Sequence, residues 1–204
     1  MEPSTTDAAE PKLLRSRRSA REAVVSTIYI CTIRQCTSEE ALEDIFEMAA
    51  YAPETQAFIR ETMVGIDQHL EALDDAIKPF MAQGWEYDRL AITDKCVLRL
   101  AVYELVHLPK MPPKVTINEA VTLAKKFGGE QSGKFVNGLL GKLLLTLPKK
   151  DWTGEEAEEI DAIDPTDEVA TDEIEESTIQ EYSDEYNEMV KAGAWSIRRR
   201  EDQP

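Results

Sequence analysis

The chain has 204 residues and carries 23 Lys+Arg against 40 Asp+Glu, a formal net charge of −17, and it is long enough for one or two domains. The charge is unevenly placed: residues 1–150 hold 19 basic and 21 acidic side chains, whereas residues 151–204 hold 4 and 19. The first part therefore admits an acidic partner through a local basic patch and the last part repels nucleic acid, while cysteines at 31, 36 and 96 with no CxxC pair exclude a disulfide framework and a zinc site.

Residues 1–14 are polar and contain proline, with no apolar core of the secretory kind, and they read as disordered. No apolar run approaches membrane-spanning length, so the chain is expected to be soluble and cytoplasmic. Helical spacing begins at Ser16, where Ala20, Val24, Ile28 and Cys31 recur on one face and Arg17, Arg18 and Arg21 gather at the start. Ser38 is placed to cap a second helix, with Glu39 and Glu40 suiting its positive end and Leu42, Ile45, Phe46 and Ala49 forming its buried face. Ile59, Met63, Ile66, Leu70, Leu73, Ile77 and Phe80 then make one apolar seam along a long helix that Pro79 closes. A coiled-coil dimer would use the same seam, but a core helix serves neighbours that also need covering.

Thr93 is placed to cap the next helix, in which Cys96, Val97, Leu100, Ala101, Val102 and Leu105 are apolar on more than one side, as a central helix requires. Pro109, Pro112 and Pro113 make a stiff connection to a stripe of Ile117, Ala120, Val121 and Ala124, which Gly128-Gly129 ends with a left-handed stop. Ser132 is placed to cap a last helix that buries Phe135, Val136, Leu139, Leu140 and Leu143. No run alternates with period two between hairpin turns, so the fold class is all-α. The helical domain is set at 15–147. Residues 148–204 form an acidic extension without a seam, read as mostly disordered, with helical spacing returning at 179–195. That extension is either a solubilising tail or a polyanion set against a basic patch.

Catalytic chemistry finds no support. There is no GxGxxG after a strand, no GxxxxGK[ST] and no GxSxG, and His69 and His107 are far apart in sequence without clustered ligands, so neither an enzyme nor a cofactor or metal site is expected. What remains is a basic group. Arg17, Arg18 and Arg21 offer forked donors to phosphate near a helix start, Tyr29 offers a stacking face, and Lys114, Lys125, Lys126, Lys134 and Phe135 enlarge the patch if the last helices pack beside the first. A solvated basic face explains the same residues.

Four blocks carry a resemblance. Arg17-Arg18-Ser19-Ala20-Arg21-Glu22 followed by Tyr29, the run Asp94–Leu105, the run Pro113–Gly128 and the run Ser132–Leu140 resemble, in order, the NusB family over about residues 15–146. The resemblance implies a fold of about seven helices in two bundles. It implies a transcription antitermination factor that binds boxA-type single-stranded RNA with the ribosomal protein NusE, within the transcription elongation complex on ribosomal RNA operons. By position it implies RNA contacts at Arg17, Arg18, Arg21, Tyr29, Gln131, Lys134 and Phe135, and a protein-partner face at Asp88, Asp94 and Arg99. The chain departs from the family at Gly141 and Gln131, which stand where acidic residues are usual, and at Gly133, which stands where a longer side chain is usual. The alternative reading is a protein-interaction factor of the same fold, a homodimer for instance, with its RNA face masked or lost.

Overall fold

The computed structural model describes residues 13–82 and 84–152. Among them the chain forms six α-helices: α1 (Arg17–Arg34), α2 (Ser38–Met48), α3 (Pro53–Ile77), α4 (Ile92–His107), α5 (Pro113–Gly128) and α6 (Glu130–Leu144). Short 3₁₀ turns follow at Lys78–Phe80, Tyr87–Arg89 and Pro148–Asp151. The described residues contain no strand, only an isolated bridge between Leu14 and Tyr51, so the all-α class holds, with six helices and three single turns against the expected seven. The segments 1–12 and 153–204, including the helical spacing at 179–195, lie outside the described residues. The chain divides into two compact units, one up to Val64 and one from Gly65.

In the first unit, Ser16 caps α1 by accepting from the Ser19 amide, and Gln35 ends the helix in a left-handed conformation at φ 54°. Thr37, rather than Ser38, caps α2. Its hydroxyl accepts from the Glu40 amide while the Glu40 carboxylate accepts from the Thr37 amide, a reciprocal box that leaves Ser38 as the first helical residue. Ala20, Val24 and Ile28 from α1 pack with Ala41, Leu42 and Ile45 from α2, while Phe46 and Ala49 are only half-buried. Leu14, which the sequence assigned to the terminal segment, is tied in by backbone bonds: its amide donates to Ala50 and its carbonyl accepts from Ala52. Ile59 and Met63 of the long seam are fully buried here.

In the second unit the same seam buries Ile66, Leu73 and Ile77, but Leu70 is 37% exposed and Phe80 half-buried. Helix α4 is apolar on nearly every side, with Cys96, Val97, Leu98, Leu100, Ala101, Val102 and Leu105 all buried. It begins one residue before Thr93, after an Ala91 cap that offers no side chain, so the Thr93 cap is corrected. Pro113 opens α5, where a missing N–H costs nothing. Glu104, buried in α4, accepts from the Thr116 hydroxyl of α5 at 3.0 Å. Leu123 takes the core place expected of Val121, which is half-buried. Gly129 alone joins α5 to α6, at φ 92° and ψ 179°. That backbone region belongs to glycine, and it is not the left-handed helical stop the sequence suggested. Ser132 is buried inside α6 and does not cap it.

Candidate nucleic-acid interface

The first unit carries four of the expected RNA contacts on α1. Arg17 is exposed in the first turn, with its guanidinium 4.3 Å above the Phe58 ring, an arrangement that holds the fork without consuming its charge. Arg18 is half-buried and Tyr29 is 41% exposed. Eleven residues are about three helical turns, so Arg18 and Tyr29 share one face of α1. Arg21 departs from expectation: it is only 4% exposed and has interactions within the fold. The Arg21 side chain is thus enclosed within the first unit, unlike that of Arg17.

The second unit carries the rest at the α5–α6 corner. Gln131 is exposed and Lys134 half-buried on the first turns of α6. Gly133 lies under the stem of Lys125, where an added Cβ would come within 2.6 Å of Lys125 Cγ. The missing side chain thus lets the Lys125 stem lie along α6, and its ammonium reaches Glu130 at 3.3 Å. Lys125 is thereby held against the first turns of α6, the turns that carry Gln131 and Lys134. Phe135 does not join them; it is 4% exposed and stacked on Trp85 at 6.4 Å, a core ring with no free face for a base.

The residues expected to face a protein partner separate in the same way. Asp88 is exposed, and its carbonyl accepts from the Lys95 ammonium at 3.0 Å. Asp94 is 4% exposed; burial pushes its carboxyl up, and a hydrogen bond with Ser132 partly offsets the shift. Its Oδ1 would lie 3.1 Å from a Cβ added at Gly128, so Asp94 packs against the α5–α6 corner rather than a partner. Arg99 forks onto Asp74, with Nε and Nη2 each donating at 2.8 Å, and the Tyr87 hydroxyl donates to Asp74 Oδ1 at 2.6 Å. Burial works against the Asp74 charge, yet the Arg99 and Tyr87 hydrogen bonds hold its carboxyl below the usual range. Burial and that carboxylate push the Tyr87 hydroxyl well up. Neither Asp74 nor Tyr87 was singled out from sequence, because nothing in the spacing of residues 74, 87 and 99 points to a pair.

His69 and His107, distant in sequence, have ring centroids 4.0 Å apart, and Tyr103 stacks on His107 at 5.2 Å. No cluster of three or more metal-ligating side chains occurs among the described residues, and no described helix is long and apolar enough to cross a membrane.

An all-helical fold among the described residues, bearing a basic helix start and a basic helix corner, defines a class of small helical factors. The model of the NusB family matches residues 18–144, and the chain belongs to that family. A transcription antitermination protein NusB from Myxococcus xanthus is 38% identical over 138 residues, covering 66% of this chain and 98% of its own. A structure of T. maritima NusB superposes with a TM-score of 0.61 at 37% identity, covering 66% of this chain and 94% of that one. A structure of the antitermination factors NusB and NusE in complex with dsRNA superposes with a TM-score of 0.60 at 26% identity, covering 64% and 97%.

Proposed function

We propose that this chain is a transcription antitermination factor that binds boxA-type single-stranded RNA jointly with NusE, within the elongation complex on ribosomal RNA operons. The observation that carries the reading is the exposed Arg17 fork at the start of α1, poised on Phe58 and followed on the helix by Arg18 and the exposed Tyr29. Guanidinium forks position phosphates, and an exposed phenol offers a base a face to stack on. In the second unit the α5–α6 corner carries Lys125, Gln131 and Lys134, with Lys125 and Gln131 exposed. The likeness to a NusB solved with NusE and double-stranded RNA supports NusE and RNA as partners, without bearing on the boxA sequence. Asp88 is the exposed member of the candidate NusE face.

The test is a titration of a boxA-like RNA, with and without NusE, at several salt concentrations. NusE should tighten binding, and affinity should fall with salt as phosphate contacts are lost. Arg17→Ala with Arg18→Ala should weaken binding by about tenfold or more and flatten the salt slope by about two contacts. Arg21→Ala should instead lower thermal stability, because it empties a buried site. Equal RNA loss in Arg21→Ala at unchanged stability would return Arg21 to the interface.

A protein-interaction reading has its own support in the first unit, where Ile33 is 53% and Met48 76% exposed. Light scattering during size-exclusion chromatography separates the two: a dimer that releases RNA as it forms would favour the masked-face alternative.

A further inference from the structure

The helical domain is electrically divided. Residues 13–104 carry 10 basic and 16 acidic side chains, whereas residues 105–150 carry 8 lysines against 2 glutamates. One of those glutamates, Glu119, is only 8% exposed, and the other, Glu130, is paired with Lys125. Lys110, Lys114, Lys125 and Lys126 are exposed. The positive charge of the domain is thus collected on the last two helices and their flanks, and residues 151–204, with 19 acidic and 4 basic side chains, follow at once.

The root of that acidic segment is fixed to the same unit. The Lys149 ammonium donates to the carbonyls of Glu104 at 3.4 Å and Met111 at 3.1 Å, and to that of Leu108. Carbonyls at a helix C-terminus carry the negative end of the helix dipole, and a cation is the group that suits them. The chain therefore leaves the domain beside the end of α4, three residues and a single turn beyond α6. Helix α6 has 15 residues, about 22 Å at 1.5 Å each. Residues 153–204, even wound as an α-helix, would extend about 78 Å, so reach does not limit contact with the α5–α6 corner.

We infer that residues 153–204 dock in cis on the lysine-rich α5–α6 surface and compete there with RNA. This rests on the RNA-binding reading for the competition, though not for the docking. A tethered polyanion meets its site without a diffusional encounter, so modest charge complementarity suffices. The occupant is chosen by position and sign: it is the most acidic segment of the chain, and its start is tied to the unit that carries the lysine-rich helices.

Two measurements on the full chain decide the matter. In the first, a carbodiimide joins lysines to neighbouring carboxylates, and mass spectrometry locates the amides. Carboxylates of 153–204 should join Lys114, Lys125 and Lys126 in preference to Lys78 and Lys95 of the same unit, and about 1 M salt should abolish the preference. Equal capture by all five lysines, or none, overturns docking. In the second, the full chain is compared with a variant whose Asp and Glu beyond residue 152 are changed to Asn and Gln, using a boxA-like RNA. The variant should bind about tenfold tighter at about 50 mM salt, with the gap closing as salt rises. Selective cross-links with no change in RNA affinity overturn the competition. Failure of both proteins to bind any RNA would sink the proposed function while the cross-links still report on docking.

Discussion

Asp74, Tyr87 and Arg99 show how much one buried carboxylate organises. The side chains of Arg99 and Asp74 are 14% and 18% exposed, so the pair is largely shielded from water and its geometry is bidentate. Asp74→Asn removes the anion and strands the guanidinium, a loss expected to cost about 3 kcal/mol in a denaturant titration. Arg99→Lys should recover little, because an ammonium cannot make the two parallel bonds. If Asp74→Asn unfolds at the midpoint of the parent protein, the pair is not structural and Arg99 returns to the candidate partner face. Burial is the part of the candidate site that the sequence does not carry. The resemblance placed Arg99, Asp94, Arg21 and Phe135 among the site residues by chain position, whereas Asp94, Arg21 and Phe135 are buried and the Arg99 side chain is 14% exposed. Arg17, Tyr29, Gln131 and Asp88 stayed exposed.

Helix existence was much more legible than helix ends. The seam from Ile59 to Ile77 and the all-round apolar run of α4 come from spacing alone, and tertiary packing uses both. Caps depend on single hydroxyls, and Thr37 beside Ser38 or Ala91 before Thr93 differ by too little for composition to decide. The contact of α3 with α4 lay beyond sequence reach altogether, because it relies on a missing atom. A Cβ on Gly65 would fall 2.0 Å from the Tyr103 hydroxyl oxygen and 2.3 Å from Cζ. Gly65→Ala should therefore destabilise the protein by about 1–3 kcal/mol despite the better helix propensity of alanine. Adding Tyr103→Phe should not restore stability, since the ring carbon clashes as well; full rescue would mean that the ring relocates freely. The same helices place His69 against His107. Burial, and then the neighbouring His69, push the His107 ring down from 6.5. Its neutral form is the one the fold prefers, so the stability it contributes is present above the unfolded value and is lost as pH falls through the depressed one. Thermal midpoints measured from pH 7.5 to 5.5 should decline in the parent, and less steeply in His107→Gln.

At the scale of the whole chain, charge rather than hydrophobicity distinguishes the parts. Apolar spacing marks residues 15–147 as one kind of material and leaves the division at Val64 and Gly65 unannounced, because α3 runs across it as a single helix whose apolar spacing does not change there. Charge separates acidic 13–104, basic 105–150 and acidic 151–204, and of these boundaries the sequence alone makes the last one plain. Its spatial meaning required Lys149, whose bonds to Glu104, Leu108 and Met111 place the start of the acidic segment.

The one-residue corner at Gly129 also bears on how such a chain can change its length. Each residue added to the start of α6, with the Gly129 corner kept, would turn the rest of α6 by about 100° and advance it about 1.5 Å, which would swing Lys134 to another face and carry the buried Leu139 and Leu140 off the core. Growth by insertion is closed at that point. The acidic segment instead follows the last single turn, Pro148–Asp151, beyond all six described α-helices, so residues joined after it shift the register of none of them.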